Sequence, residues 1–212
     1  MKSIVCEKDG NKHVPVESRK DFVSRKVGAF TIKNDKNISL CYRNDCLLKC
    51  LYINARSVIN KIDEFVANVS ELQPDIIGIT ESWANDKVLD AELSLNGYVM
   101  FRHDRNTGNK GGGVLLYAKY NLDQVQFVPQ TKFPEHVWCK VKSKDGIELL
   151  IGVCYNSNNG KIFSSDTHLL LRQLLCEVSQ YHVLIMGDFN YPDIHWETLI
   201  EPQQMQKCLW NV

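Results

Sequence analysis

From about residue 47 onward the apolar positions fall into short runs separated by stretches of helical spacing. LLKCLYI reads as a strand, and behind it Val58, Ile62, Phe65, Val66, Val69 and Leu72 recur at the spacing that lines one face of a helix. After Pro74 the β-branched run DIIGIT predicts a second strand. A glycine-rich stretch, GNKGGG, leads into the run VLLYAKY. HVWCKVKS and ELLIGVCY then read as two strands joined by a turn at Lys144-Asp145-Gly146. A second amphipathic helix, capped near Ser165 or Asp166, carries Leu170, Leu171, Leu174, Leu175 and Val178 inward, and VLIMG is the last clear strand. Strands interleaved with helices and hairpin-like pairs predict a layered α/β domain on a mixed sheet, not a bundle or an all-β sandwich.

Residues 1–46 are rich in Lys, Asp, Asn and Ser and follow no sustained period, so they read as a poorly ordered polar leader. The domain is expected over 47–198, with a divergent tail at 199–212. A Gly-rich loop that enters a strand, and lacks the Lys-Ser/Thr ending of a phosphate-cradling loop, predicts a mobile hairpin tip at Lys110–Gly113.

Four strand-like runs end in a polar residue that a turn does not itself require: LYI in Asn54, IIGIT in Glu81, LLIGVC in Tyr155 and VLIMG in Asp188. In sheets covered by helices, functional side chains collect beyond the carboxyl ends of strands, where separate strands converge on one ligand. Asp188 and Asn190 are two apart, so an extended backbone puts them on one face while Phe189 points into the core. Each residue taken singly is also an ordinary turn residue. Their joint occurrence is what marks a site.

LKCLYINARSVINKIDEF, PDIIGITESW, GYVMFRHDR with GGGVLLYAK, IGVCYNSNN and VLIMGDFNYPDIHW, in that order, resemble the successive motifs of the endonuclease domain of jockey-like non-LTR retrotransposons, within the endonuclease/exonuclease/phosphatase superfamily. The resemblance implies a four-layer α/β sandwich lacking its last strands, and DNA nicking with Mg²⁺ or Mn²⁺. It also implies a reverse transcriptase encoded in the same element. Carried over by position, it makes Glu81 the metal-binding carboxylate and Asn54 the amide that helps to organise the metal. Tyr155 and Asn158 become phosphate-facing groups. Asp188 becomes the residue that orients or deprotonates the attacking water, and Asn190 the amide that steadies the scissile phosphate. These types suit the chemistry, because Mg²⁺ takes hard oxygen ligands and neutral donors stabilise a charged transition state without competing for the cation.

The family's Ser-Asp-His triplet has no counterpart after GDFN; the string Ser165-Asp166-Thr167-His168 precedes it and fits a helix N-cap instead. His195 lies too near Asp188 in sequence to stand in. Loss of such a general acid/base removes about 10²–10⁴ in rate, so weak or absent nuclease activity is expected. A phosphoesterase acting on small esters and a non-catalytic interaction module are the alternatives.

Charge adds a constraint. Lys plus Arg and Asp plus Glu are 25 each, so no global positive field holds a polyanion and any DNA contact needs a local patch. Arg102, His103, Arg105 and Lys110 form the basic cluster beside the expected site, serving either as DNA-backbone contacts, Arg102 and Arg105 above all, or as a solvated loop. Trp83, Trp138 and Trp196 read as packing residues. The eight cysteines read as reduced thiols, and Cys41, Cys46 and Cys50 match no common zinc spacing. No apolar run approaches the roughly 20 residues of a membrane span, and MKSIVCEKDGNKH lacks the apolar core of a secretory signal, so an intracellular protein, nuclear or cytoplasmic, is expected.

Overall fold

The structure is a computed structural model that describes residues 3–4, 28–32, 48–105, 111–142, 148–157 and 165–190. One sheet joins β1 (Ser3–Ile4), β3 (Cys50–Asn54), β4 (Ile76–Thr80), β6 (Val114–Lys119) and β5 (Tyr98–His103), in that spatial order. The other joins β2 (Gly28–Ile32), β10 (Val183–Asp188), β9 (Glu148–Tyr155), β8 (His136–Lys142) and β7 (Val125–Phe127). The helices are α1 (Ile62–Leu72), the single turn α2 (Asp90–Leu93) and α3 (Ser165–Val178).

Strand alternation builds the layers. Tyr52, Ile76, Val114, Leu116 and Ala118 of the first sheet meet Val137, Cys139, Val141, Ile151, Val153, Tyr155 and Met186 of the second in one buried cluster. The opposite face of the first sheet, with Leu51, Ile53, Ile77, Ile79, Leu115 and Tyr117, is covered by Phe65 and Val69 of α1. That of the second, with Trp138, Leu150, Cys154, Val183 and Ile185, is covered by Leu171, Leu174 and Val178 of α3. The result is the helix–sheet–sheet–helix sandwich that the motifs imply. A strand buried on both faces must be apolar at every position, which is why DIIGIT shows no alternation: all five residues of β4 are buried. Each fully buried Leu or Ile contributes roughly 1.5–3 kcal/mol.

α1 stops where Gln73 turns left-handed at φ 48° and returns its N–H to Val69 O at 2.8 Å, ahead of Pro74. Val66, expected on the inner face, is 44% exposed; Phe65 and Val69 take the inward positions, and Ile62 and Leu72 lean on the same cluster. β8 and β9 pair antiparallel from His136↔Cys154 to Lys142↔Glu148 as expected, while the turn at 144–146 lies outside the described residues. Within 1–46, β1 and β2 are strands that no periodicity announces; β2 pairs antiparallel with β10 over five residues. Among the described residues no helix is long and apolar enough to cross a membrane.

Two parallel pairs bring the polar strand ends into register. β3 runs beside β4 with Asn54 opposite Thr80, and β9 beside β10 with Tyr155 opposite Asp188. Because the two sheets face one another, the carboxyl ends of all four strands gather at one rim.

Candidate functional site

Asn54 closes β3 and Asp188 closes β10, and the two meet across the sandwich: Asn54 Nδ2 donates to Asp188 Oδ2 at 2.9 Å. Asp188 Oδ1 accepts the backbone N–H of Asn190 at 3.2 Å. Glu81, one residue past β4, is gripped from three sides. Tyr155 donates its hydroxyl to Oε1, while the Trp83 indole N–H (2.6 Å) and the Gly112 backbone N–H (3.5 Å) reach Oε2. Tyr155 thus touches Glu81 from the strand position beside Asp188, so the four strand ends named by the sequence form one constellation.

The backbone holds it under strain. Glu81 and Trp83 sit at φ 58° and Asn190 at φ 50°, in the left-handed region that costs a non-glycine residue about 1–2 kcal/mol. Glu81 and Trp83 are kept there by pairing on both sides: Ser57 N–H donates to Glu81 O (2.9 Å), while Ser82 and Trp83 donate to the carbonyls of Gly113 (3.2 Å) and Gly112 (2.9 Å). Such strain, over-determined by neighbours, concentrates at working sites. Gly112 and Gly113 are buried members of this framework, at φ 77° and 80°, and are not the mobile hairpin tip expected of them; Lys110 lies outside the described residues.

The two carboxyl groups are driven apart electrostatically. Burial pushes Glu81 up, but the hydrogen bonds from Tyr155, Trp83 and Gly112 and the Arg105 charge together hold it below the ordinary carboxylate value. Asp188 is raised, chiefly by burial and further by the Glu81 charge, against the hydrogen bonds of Asn190 and Asn54. Burial also lifts Tyr155, and the adjacent Glu81 adds to the effect, so the phenol stays a neutral donor. Paired acids with opposed shifts divide the labour of a charged ligand and a proton acceptor.

At the centre of this rim Asn54 Oδ1 is buried and, among the described residues, accepts no hydrogen bond. That orphaned oxygen, on the residue paired with Thr80 just before the ionised Glu81, makes with Glu81 a donor set fit for a hard divalent cation. Asn190 donates its side-chain amide to Asn156 O at 2.6 Å, and Asn156 returns Nδ2 to Phe189 O at 3.0 Å, tying the GDFN segment to the end of β9.

The basic cluster does not present itself as the sequence suggests. Arg102, in β5, is occupied within the protein: Nε and Nη2 go to Asp104, Nη1 to Asp90 Oδ1 (2.7 Å) and Val88 O (3.0 Å), and Nη2 also to Asn85 O (3.0 Å). Arg105 gives Nε and Nη2 to Glu135 Oε1 at 2.8 and 2.5 Å, with its guanidinium 5.6 Å from the Tyr155 ring centre. Arg102 would reach a phosphate only by releasing acidic partners, and Arg105 has two of its three donor nitrogens committed to Glu135. Asn158 and His195 lie outside the described residues. Sequence reasoning passed over Glu135 and treated Trp83 as packing, although its place two residues after Glu81 in ESW was the available signal.

Residues 50–202 match the model of the endonuclease/exonuclease/phosphatase family. Among solved structures the chain is similar to the endonuclease domain of TRAS1, a telomere-specific non-LTR retrotransposon (TM-score 0.55, 13% identity, 76% of this chain and 67% of that one). It is also similar to an AP endonuclease from Leishmania major (0.52, 15%, 75% and 60%) and to a 3′ phosphatase from Neisseria bound to a product DNA hairpin (0.51, 15%, 69% and 59%). At these identities the likeness is one of fold, and the chain spans between 59% and 67% of the length of these three. None of the curated proteins matches it. With a family match running from β3 past β10 and a sandwich of the same fold as these structures, the chain belongs to the endonuclease/exonuclease/phosphatase family of hydrolases.

Proposed function

We propose that Glu81, Asn54, Tyr155, Asp188 and Asn190 form a site for hydrolysis of DNA phosphodiester bonds with a divalent cation, Mg²⁺ or Mn²⁺, in a domain of retrotransposon descent. The observation that carries it is the buried Asn54 Oδ1, which among the described residues accepts no hydrogen bond, at the same rim as a Glu81 carboxylate held ionised by three donors. Glu81 and Asn54 Oδ1 would hold the cation, which when bound supplies charge to offset the developing negative phosphate. Asp188, raised by burial and by Glu81 yet fixed by Asn54 and the Asn190 N–H, is placed to take the proton of the attacking water. The Asn190 amide, and the Tyr155 hydroxyl where it turns from Glu81, would supply neutral donors toward the phosphate oxygens. DNA is favoured as substrate by the ordered motifs and by the retrotransposon endonuclease among the similar structures.

The test is nicking of supercoiled plasmid in MgCl₂, with Mg²⁺ binding followed calorimetrically, for the chain and for Glu81→Ala and Asp188→Ala. Binding lost in Glu81→Ala, with residual nicking lost in both variants, supports the assignment. Nicking that neither substitution alters, or hydrolysis of small phosphate esters without nicking, overturns the assignment to DNA.

A further inference from the structure

We propose that Arg105 and Glu135 are a buried positioning pair that sets the Glu81 carboxylate in its working orientation, acting through the Gly112–Gly113 turn and the Tyr155 side chain. This role deepens the proposed function, since it rests on Glu81 being a ligand for the cation. The pair is among the least exposed charge pairs described, at 11% for the Arg105 side chain and 6% for Glu135, a setting in which ions survive only when their hydrogen bonds are met. They are met in a way that reaches Glu81 by two routes. Glu135 Oε1 takes Arg105 Nε and Nη2, and Oε2 takes the Gly113 N–H at 2.6 Å; Gly112, the next residue back, donates to Glu81 Oε2 and offers its carbonyl to the Trp83 N–H. On the second route, Glu135 O accepts the Tyr155 N–H at 2.9 Å while the guanidinium lies against the phenol ring, and that phenol donates to Glu81 Oε1. Among the described residues, each donor on the Glu81 carboxylate leans on this pair: Tyr155 by packing against Arg105, Gly112 through its neighbour Gly113, and Trp83 through its backbone bond to Gly112.

The glycines agree with this role. At φ 77°, a Cβ on Gly112 would stand 2.6 Å from Glu135 Oε2 and closer still to Arg105 Nε, so the turn admits the ion pair only without a side chain. Arg105 as a phosphate contact fits less well, because two of its donor nitrogens are spent on Glu135 and almost none of it faces solvent. Its charge also helps to hold Glu81 ionised. Outer partners of this kind govern how firmly a carboxylate ligand is presented, and their loss typically weakens metal binding about 10–100-fold.

The Trp83 indole N–H, bonded to Glu81, gives a readout that does not depend on turnover. Its ¹H–¹⁵N signal is assigned by Trp83→Phe, and the fully buried Trp138 serves as the reporter of fold. In the double variant Arg105→Met/Glu135→Gln, which leaves no unpaired buried charge, the Trp83 signal is expected to move toward that of an unbonded indole with Trp138 unmoved. Mg²⁺ affinity is expected to fall about 10–100-fold. Arg105→Lys, which keeps the charge but not the fork, is expected to lie between the double variant and the parent. A Trp83 signal and a Mg²⁺ affinity that Arg105→Lys leaves at the parent values overturn the proposal, as does a folded double variant that matches the parent. If MgCl₂ leaves the parent's Trp83 signal and heat of binding unchanged, the cation assignment fails, and the positioning claim is still decided by the metal-free spectra.

Discussion

Replacing Gly187 by alanine tests whether the site depends on how tightly β9 and β10 approach. Gly187 pairs with Cys154, one step before the pairing of Asp188 with Tyr155. A Cβ at 187 would fall on the Cys154 carbonyl oxygen, a full ångström inside the 3.0 Å that real Cβ atoms keep, and would stand 3.0 Å from the carbonyl carbon and 3.3 Å from the nitrogen. All three are backbone atoms, so relief comes only by prising apart strands normally about 4.8 Å from each other. Losing two ladder hydrogen bonds costs about 2 kcal/mol. Overpacking strain adds about 1–3 kcal/mol, and the stiffer unfolded chain returns about 0.4–1 kcal/mol. These terms leave a net loss of about 3 kcal/mol. Gly78→Ala is the internal control: its Cβ meets Met186 Cε and Val153 Cγ2 at 3.0 Å, and a methionine methyl gives way, so its cost stays within about 1 kcal/mol. Urea unfolding followed by circular dichroism, with unchanged m, measures both. If Gly187→Ala loses less than about 1 kcal/mol more than Gly78→Ala, strand approach is not what the GDFN glycine provides.

Arg102→Met should cost about 1–3 kcal/mol by leaving Asp104, 12% exposed, without its cation, while Mg²⁺ binding is unchanged; a loss of DNA affinity with stability intact would instead make Arg102 a phosphate contact. His136 is lowered to about 4 by burial first and by His103 second, against the pull of Glu177. Between pH 6.5 and 4 the unfolded chain therefore binds the extra proton and the folded one does not. Stability held above pH 6.5 should fall by up to about 3 kcal/mol toward pH 4, and His136→Gln should flatten that slope in urea titrations at stepped pH. Among the described cysteines, Cys176 is exposed, whereas burial pushes Cys139 up to about 12 and raises Cys154 as well. Alkylation mapped by mass spectrometry should label Cys176 in the native protein and Cys139 and Cys154 only after unfolding.

What was legible in the chain and what was not divide along a physical line. IIGIT and LLIGVC announce doubly covered strands because burial on two faces leaves no room for polar residues, and parallel pairing puts their final residues at a common rim; Asn54, Glu81, Tyr155 and Asp188 were therefore readable as a set. The fates of Arg102 and Arg105 were not. Their partners Asp90 and Glu135 are 12 and 30 residues away, and no local period connects a charge to a partner brought by the fold. Asp104 shows that adjacency alone is silent too, since Arg102 near the end of β5 bonds a side chain just past the strand, where only the structure fixes the direction of the chain. Val66 fails for a related reason: helical spacing identifies a stripe, but the width of the stripe depends on how far the covering sheet extends.

The same limit bears on the roles of the two acids. Glu81 and Asp188 each follow an apolar strand, and apart from the family resemblance nothing in ESW or GDFN separates the proposed ligand from the proposed base. The proposed division rests on surroundings: Glu81 collects Tyr155, Trp83 and Gly112, which favour the charged form, whereas for Asp188 burial and a negative neighbour, which favour the proton, outweigh its two donors. Two of the Glu81 donors stand beside contacts to a glutamate no motif includes, since Glu135 takes the N–H of Gly113, next to Gly112, on its carboxylate and the N–H of Tyr155 on its backbone carbonyl. Chemistry written at strand ends is thus assigned by contacts made far along the chain, and a substitution at Glu135 should disturb Glu81 more than one at many residues closer to it in sequence.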